Sequence, residues 1–142
     1  MASGGMKAAP VVIECLDKSL HDRMNFDCGE AELNDYLHFT ARQHVDKGYT
    51  QVWVAVPEPR SSHVLGYYTL SMTSIAPEDL PRKAAVKKVP ALLLGKLAVD
   101  QRYQRQGIGM RLLMDAQHCA LLISRQVGVH ALVVDALNDR AA

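Results

Sequence analysis

The spacing of apolar residues in the first half of the chain predicts a strand, a helix and a β-hairpin. Residues 11–16 (VVIECL) form a short run rich in β-branched side chains, which is typical of a strand. Residues 30–45 place apolar side chains at helical spacing, and Gly48 follows as a cap for the end of that helix. Residues 50–58 alternate between valines and the pair Trp and Ala, and residues 63–74 follow a turn as the partner strand.

The second half predicts a polar connection followed by a strand, a helix and a strand. Residues 76–90 contain three prolines and four cationic side chains, which excludes a long regular element there. Residues 91–100 are almost continuously apolar, as in a strand covered on both faces, and residues 130–137 form a second such run. Between them, the apolar positions from Ile108 fit one helix stripe. A right-handed crossover would make these two strands parallel, so the predicted class is α+β (α/β-like) with a mixed sheet.

The length and composition of the chain limit the kind of protein it can be, but they do not identify a function. The 142 residues predict one domain, spanning 11–142 after a loose or tag-derived tail at 1–10, and the net charge of +1 argues neither for nor against nucleic acid. The start of the chain lacks a signal-peptide pattern, and no apolar run is long enough to cross a membrane. The three cysteines form no CxxC pair, which favours reduced thiols and a cytoplasmic location. The six histidines lack metal-ligand spacing, so we expect no metal site.

The segment QRYQRQGIGM, residues 101–110, lies where the strand at 91–100 meets the following helix. The first N–H groups of a helix have no internal acceptor, and the helix dipole adds partial positive charge there. Gly107 and Gly109 allow the backbone to approach a ligand closely, and Arg102 and Arg105 could add charge at the rim. The corner is therefore a candidate site for a phosphate or pyrophosphate.

Known glycine motifs do not decide between a phosphate site and a simple tight turn. The dinucleotide fingerprint G-x-G-x-x-G fails at Leu112, and no Gly-Lys-Ser/Thr follows to make a P-loop. The two glycines alone fit close helix–strand packing as well as they fit an anion site.

The pattern Gln104-x-x-Gly107-x-Gly109 resembles the Gln/Arg-x-x-Gly-x-Gly/Ala signature of the GNAT acyl-CoA N-acetyltransferases. Four blocks, FDCGEAELNDYL, VLGYYTLS, LGKLAVDQRYQRQGIGMRLLMDA and ALVVDAL, resemble in order the GNAT toxins of bacterial toxin–antitoxin modules. The resemblance covers residues 11 to about 139. It implies a mostly antiparallel mixed sheet with flanking helices, in which the strands at 94–99 and 130–137 form a splayed parallel pair.

The resemblance also implies acetyl-CoA as co-substrate. Pantetheine would lie along the strand at 97–99 like an added strand, and the backbone of the glycine corner would hold the pyrophosphate. Acetyl would pass directly to an amine that must be neutral to attack. The expected cofactor-binding residues are Leu97, Ala98, Val99, Gln104, Arg105, Gln106, Gly107, Ile108, Gly109, Met110 and Asn138.

In the toxins the acceptor is the α-amino group of an aminoacyl-tRNA, and a small antitoxin protein covers the basic surface. Expected substrate-binding residues are Tyr68, Ser71, Lys87, Lys88 and Lys96. Alternatively, Tyr68 fills the core as a strand aromatic, and any single lysine belongs to a solvated surface. Two other functions stay open, namely a GNAT acting on a small-molecule or protein amine, and a catalytically inactive module that binds CoA or an antitoxin.

Two features depart from the toxin pattern. Lys96 stands where an arginine is usual, which keeps the charge but loses the planar fork. The sequence ends after Asn138, where the pattern continues with a helix and final strands, so the domain is expected to be incomplete and its activity impaired. The usual tyrosine proton donor lies in that continuation, so no catalytic residue is assigned. We expect a homodimer, or a partner, to cover the open edge of the strand at 130–137.

Overall fold

The computed structural model describes residues 11–75, 89–125 and 132–134 and shows an α+β fold in which helices flank a five-stranded sheet. The strands are β1 (Val12–Cys15), β2 (Gln51–Val56), β3 (Gly66–Ile75), β4 (Val89–Val99) and β5 (Leu132–Val134). The helices are α1 (Ala31–Asp35), α2 (Ala41–Asp46) and α3 (Ile108–Ser124), with a π-helical segment at Tyr36–Thr40 and a 3₁₀ turn at Gln101–Tyr103.

The sheet has the mixed topology that the pattern predicts. Its strands lie in the order β1-β2-β3-β4-β5, and the first three pairings are antiparallel. β4 and β5 are parallel, with Leu92 opposite Leu132 and Leu94 opposite Val134, which confirms the crossover through α3. Within the described residues, this parallel ladder covers only 92–94 of β4, and β4 then continues to Val99.

Alternation along β2 separates two hydrophobic cores, one on each face of the sheet. Val52, Val54 and Val56 share one face of β2, as the sequence predicts, and the structure buries that face under α1 and α2. Ala55 faces the opposite core, which the buried side of α3 closes with residues such as Leu112. Each fully buried valine or leucine stabilises the fold by about 1.5–3 kcal/mol relative to an exposed one. The two helical layers therefore hold the sheet rigid between them.

The predicted helix at 30–45 forms, but its middle turn is π-helical. Leu37 within this turn and Ala41 directly after it are fully buried, so the helix keeps its apolar stripe toward the sheet. The helix ends at Asp46, and Gly48 follows it with φ of +75° and with its N–H donating to the carbonyl of Val45 at 3.0 Å. The prediction of a glycine cap is confirmed.

β4 differs from the sequence expectation at its start and in its middle. It begins at Val89, two residues before the predicted strand start at residue 91. Pro90 is tolerated because it lies near the strand end, before the pairing with β5 begins. Farther along, β4 has one more residue than β3 between the pairs Leu70–Leu94 and Tyr68–Leu97, which forms a β-bulge. This bulge aims the N–H of Lys96 at the hydroxyl of Thr69, at 3.1 Å.

Several expectations lie outside the described residues, namely those on Lys87, Lys88 and Asn138 and most of the strand at 130–137. The homodimer at the edge of that strand stays a prediction. Among the helices that the structure describes, none is long and apolar enough to span a bilayer.

Candidate functional site

The N-terminus of α3 presents free backbone donors. Gly107 caps the helix in the left-handed conformation, with φ of +80°, which favours glycine. The N–H of Arg111 makes a hydrogen bond to the carbonyl of Gly107, at 3.1 Å. The N–H groups of Ile108, Gly109 and Met110 precede that bond and therefore have no intrahelical acceptor. They form a cluster of donors at the positive end of a 17-residue helix.

A buried carboxylate shapes the turn that leads to these donors. Asp100 is completely buried and accepts hydrogen bonds from the backbone N–H groups of Arg102 at 3.0 Å and Asp27 at 3.2 Å. The guanidinium of Arg102 adds bonds of 2.9 and 2.8 Å to its two oxygens. Burial works to raise the pKa of Asp100, but the hydrogen bonds from Arg102 and Asp27 outweigh it, and the pKa lies below its ordinary value.

This pairing changes the expected role of Arg102. Its charge is compensated by Asp100, and its second contact is the carbonyl of Asn25 at 3.2 Å, so it braces the turn and does not act as a free cation at the rim. Arg105 differs, because its side chain is exposed and its backbone takes the left-handed conformation with φ of +67°.

Gln104, the first residue of the signature, acts through its side chain. Its amide donates to the carbonyl of Val99 at 2.9 Å and to the carbonyl of Cys28 at 3.2 Å. A parallel link runs from the backbone N–H of Gln101 to the carbonyl of Asp27, at 2.8 Å. The end of β4 is thereby tied to the loop before α1. The two segments form opposite walls of a cleft.

The cleft has a volume of about 540 Å³ and runs from the end of β4 to the start of α3. Seven of the expected cofactor-binding residues line it, namely Leu97, Ala98, Val99, Gln104, Arg105, Ile108 and Gly109. Gln106, Gly107 and Met110 belong to the same corner but do not line the cleft. The volume falls in the range of small-molecule sites, and it combines an apolar wall with backbone donors at one end. These residues fit a ligand with a narrow chain and a diphosphate.

The opposite wall was not anticipated from the sequence. It consists of Cys28, Gly29, Glu30 and Leu33, while Gln101 and Tyr103 of the predicted corner also line the cleft. The signal that could have found it is the Cys-Gly pair before the helix. Gly29 has φ of +91°, and a Cβ there would meet the side-chain oxygen of Gln101 at 3.3 Å. Burial raises the pKa of the Cys28 thiol, which argues against a thiolate nucleophile.

Tyr68 lies in the core between β3 and α3. It is completely buried, its ring stacks on that of Trp53 at 6.3 Å, and its hydroxyl donates to Asp115 at 2.7 Å. Burial, with these side-chain hydrogen bonds adding to it, raises the pKa of Tyr68 far above its ordinary value. The structure therefore favours the core-filling interpretation over contact with a substrate.

Of the other expected substrate residues, the structure describes Ser71 and Lys96, which lie on the opposite face of the sheet from Tyr68. Ser71 pairs with Leu93 across the β3–β4 ladder and is partly exposed. Lys96 lies in the bulge and precedes cleft-lining Leu97, and its ammonium group lies 4.8 Å from the ring centroid of Tyr36. Among the described residues that we expected to bind substrate, Lys96 is next in sequence to a residue of the cleft wall, Leu97.

Comparison with known proteins shows close relatives, although no protein-family model matches the chain. The chain is 35% identical over 123 residues to a tRNA-acetylating toxin of Mycobacterium tuberculosis, covering 84% of this chain and 72% of the relative. It is 31% identical over 142 residues to a probable toxin TacT of Sinorhizobium fredii, covering 96% of this chain and 77% of the relative. Identities at this level over most of both chains establish common family membership.

Solved structures show the same fold with informative ligands. A tyrosine-to-phenylalanine mutant of KacT superposes with a TM-score of 0.84 at 31% identity, covering 93% of this chain and 81% of that one. AtaT complexed with acetyl-methionyl-tRNAfMet gives 0.81 at 35% identity, covering 92% and 81%. A mutant AtaT bound to acetyl-CoA and the C-terminus of the antitoxin AtaR gives 0.76 at 35% identity, covering 92% and 78%.

Proposed function

The chain belongs to the family of tRNA-acetylating toxins with the GNAT fold, and from this premise we propose that it transfers acetyl from acetyl-CoA to the α-amino group of an aminoacyl-tRNA. Acetylation of that amine would block translation. The single observation that carries the proposal is the cleft between β4 and α3, with its free N–H groups at Ile108, Gly109 and Met110. AtaT, which has the same fold, is known with acetyl-CoA and with an acetylated aminoacyl-tRNA.

In this proposal acetyl-CoA supplies an activated thioester, and the chain supplies placement. The N–H groups at the start of α3 bind the diphosphate of the co-substrate, and the helix dipole stabilises its negative charge. The backbone of residues 97–99 binds the pantetheine arm along β4, in the manner of an added strand. Leu33, on the facing wall, restricts the arm to one path. Holding thioester and amine together in one geometry lowers the entropic cost of their reaction.

The proposal extends to a protein partner and a location. AtaT binds the C-terminus of an antitoxin, and we propose that a small antitoxin silences this chain in the same way. The substrate, a charged tRNA, is found where translation occurs, which implies the cytoplasm. All three cysteines are free thiols, as that compartment favours.

The test is an acetyl-transfer assay with the full chain. Labelled acetyl-CoA is incubated with charged tRNA, with uncharged tRNA and with a small amine, and acetyl bound to each acceptor is measured. We expect label on charged tRNA only, with a rate that falls steeply as salt is raised, because tRNA binding releases counterions. Label on the small amine with little salt dependence would favour the small-amine function. Binding of acetyl-CoA with no transfer to any acceptor would contradict the enzyme and leave a CoA-binding module.

A further inference from the structure

A row of aromatic rings and cations connects β4 with the segment that follows α2. We call it the aromatic row, and it consists of Lys96, Tyr36, His44, Tyr49 and Lys47. The ammonium of Lys96 lies 4.8 Å from the ring centroid of Tyr36, and the Tyr36 hydroxyl contacts Nδ1 of His44 at 3.1 Å. The ring of His44 is 5.9 Å from that of Tyr49, and the ammonium of Lys47 is 6.0 Å from the Tyr49 ring.

One end of the aromatic row neighbours cleft-lining residues along the chain. Lys96 directly precedes Leu97 on β4, and Leu97 lines the cleft wall. Tyr36 lies one turn after Leu33, which lines the facing wall, and the carbonyl of Leu33 also accepts the hydroxyl of Tyr67 at 2.8 Å. Tyr67 in turn stacks under Tyr36, with centroids 6.3 Å apart and planes inclined by 13°. The inner end of the row is therefore held in place by the core.

The other end of the row opens to solvent. Tyr49 is 64% exposed, although its backbone N–H is fixed by a 2.9 Å hydrogen bond to the carbonyl of His44. Its ring is the outermost ring of the row.

Within the part of the chain that the structure describes, the charges of the row are not paired with carboxylates. Among the ion pairs of the described residues, neither Lys47 nor Lys96 takes part, whereas nearby Lys18 and Arg42 both pair with Asp46. Each of the two uncompensated ammonium groups instead lies near a tyrosine ring. The row thus has three consecutive rings with a cation at each end. Rings beside cations are the combination that binds single-stranded nucleic acid, since bases stack on the rings and phosphates pair with the cations.

We propose that the aromatic row binds the unpaired 3′ end of the tRNA and guides the attached amino acid into the cleft. The inference rests on the proposed function and deepens it by assigning the surface that receives the RNA. A single strand fits better than a duplex, because only unpaired bases can expose their faces to Tyr49 and His44. The row leads from solvent to the cleft, as a strand carrying the reactive amine at its end requires.

The experiment measures binding of two RNAs to the full chain at fixed salt. One is intact uncharged tRNA, and the other is the same tRNA without its unpaired 3′ nucleotides. The variants are Tyr49→Ala and Tyr49→Phe, with Phe39→Ala as the matched control. Phe39 is 61% exposed on the same helical layer, but its ring contact is with His38 and not with the row.

We expect Tyr49→Ala to weaken binding of intact tRNA about fivefold or more, as loss of one stacked base does, and to leave the trimmed tRNA unaffected. Tyr49→Phe and Phe39→Ala should bind like the wild type. Lys47→Gln should reduce the slope of log affinity against log salt by about 0.7, the value for one phosphate contact on a single strand.

Wild-type affinity of Tyr49→Ala for intact tRNA, or an equal loss on both RNAs, would overturn the inference while leaving the proposed function intact. If the wild type bound acetyl-CoA but neither bound tRNA nor acetylated it, the proposed function would fail and the inference with it. The wild-type transfer assay thus separates the two failures.

Discussion

The carboxylate of Asp100 and the guanidinium of Arg102 form a two-point contact, with Oδ1 2.9 Å from Nε and Oδ2 2.8 Å from Nη2. The carboxylate is fully buried, whereas the arginine side chain is 53% exposed. The pair closes the turn between β4 and α3, and the same carboxylate accepts a 3.2 Å hydrogen bond from the N–H of Asp27, which directly precedes the facing wall. One buried charge therefore connects both walls of the cleft.

Replacing Asp100 by Asn should lower the free energy of unfolding by about 2–3 kcal/mol, because hydrogen bonds to a charged, buried acceptor are lost. Affinity for acetyl-CoA should fall as well, since the turn no longer holds the start of α3. Urea unfolding and calorimetric titration with acetyl-CoA measure the two effects. The control is Asp46→Asn, which removes an exposed pair with Lys18 at 3.0 Å and should cost less than about 1 kcal/mol.

Stability should decline in acid because of Asp100. Its pKa is lowered in the folded chain, so its contribution is fully present above the pKa of an unfolded Asp and is lost as the pH falls through the folded value. As the pH drops below about 4, we expect the free energy of unfolding of the wild type to fall more steeply than that of Asp100→Asn. Parallel pH curves for the two proteins would contradict this assignment.

Replacing Gly107 by Ala should weaken acetyl-CoA binding more than it weakens the fold. A side chain at φ of +80° costs about 1–2 kcal/mol, and relief of that strain would turn the N–H groups of α3 away from the cleft. Gly48→Ala is the matched control, because Gly48 has φ of +75° and no atom within 4 Å of an added Cβ. Both variants should lose similar stability, but only Gly107→Ala should lose affinity. Equal affinities would show that the diphosphate binds elsewhere.

Tyr68→Phe should reduce stability by about 1 kcal/mol and leave acetyl transfer unchanged. The reason is that the Tyr68 hydroxyl donates a 2.7 Å hydrogen bond to Asp115 inside the core and does not face a substrate. Thermal unfolding and the transfer assay measure the two quantities. A loss of transfer rate without a loss of stability would restore the alternative in which Tyr68 contacts the substrate.

Local patterns determined the elements of this protein. Alternation in β2 fixed which valines face α1 and α2, because successive side chains of a strand point to opposite faces. Helical spacing predicted α3, and the two glycines predicted the corner at its start, since both signals depend on neighbours in the chain. The strand–helix–strand order was enough to predict the parallel pairing of β4 with β5.

Only the tertiary structure decided what distant residues do to one another. It placed Asp100 beside Asp27, Gln104 against Cys28 and Lys96 over Tyr36, each a contact between segments far apart in the chain. It also set the bulge in β4 and moved Tyr68 from a candidate contact into the core. A sequence pattern records the preference of each segment for helix, strand or turn, but hydrogen bonds and burial across the fold depend on packing that no single segment contains.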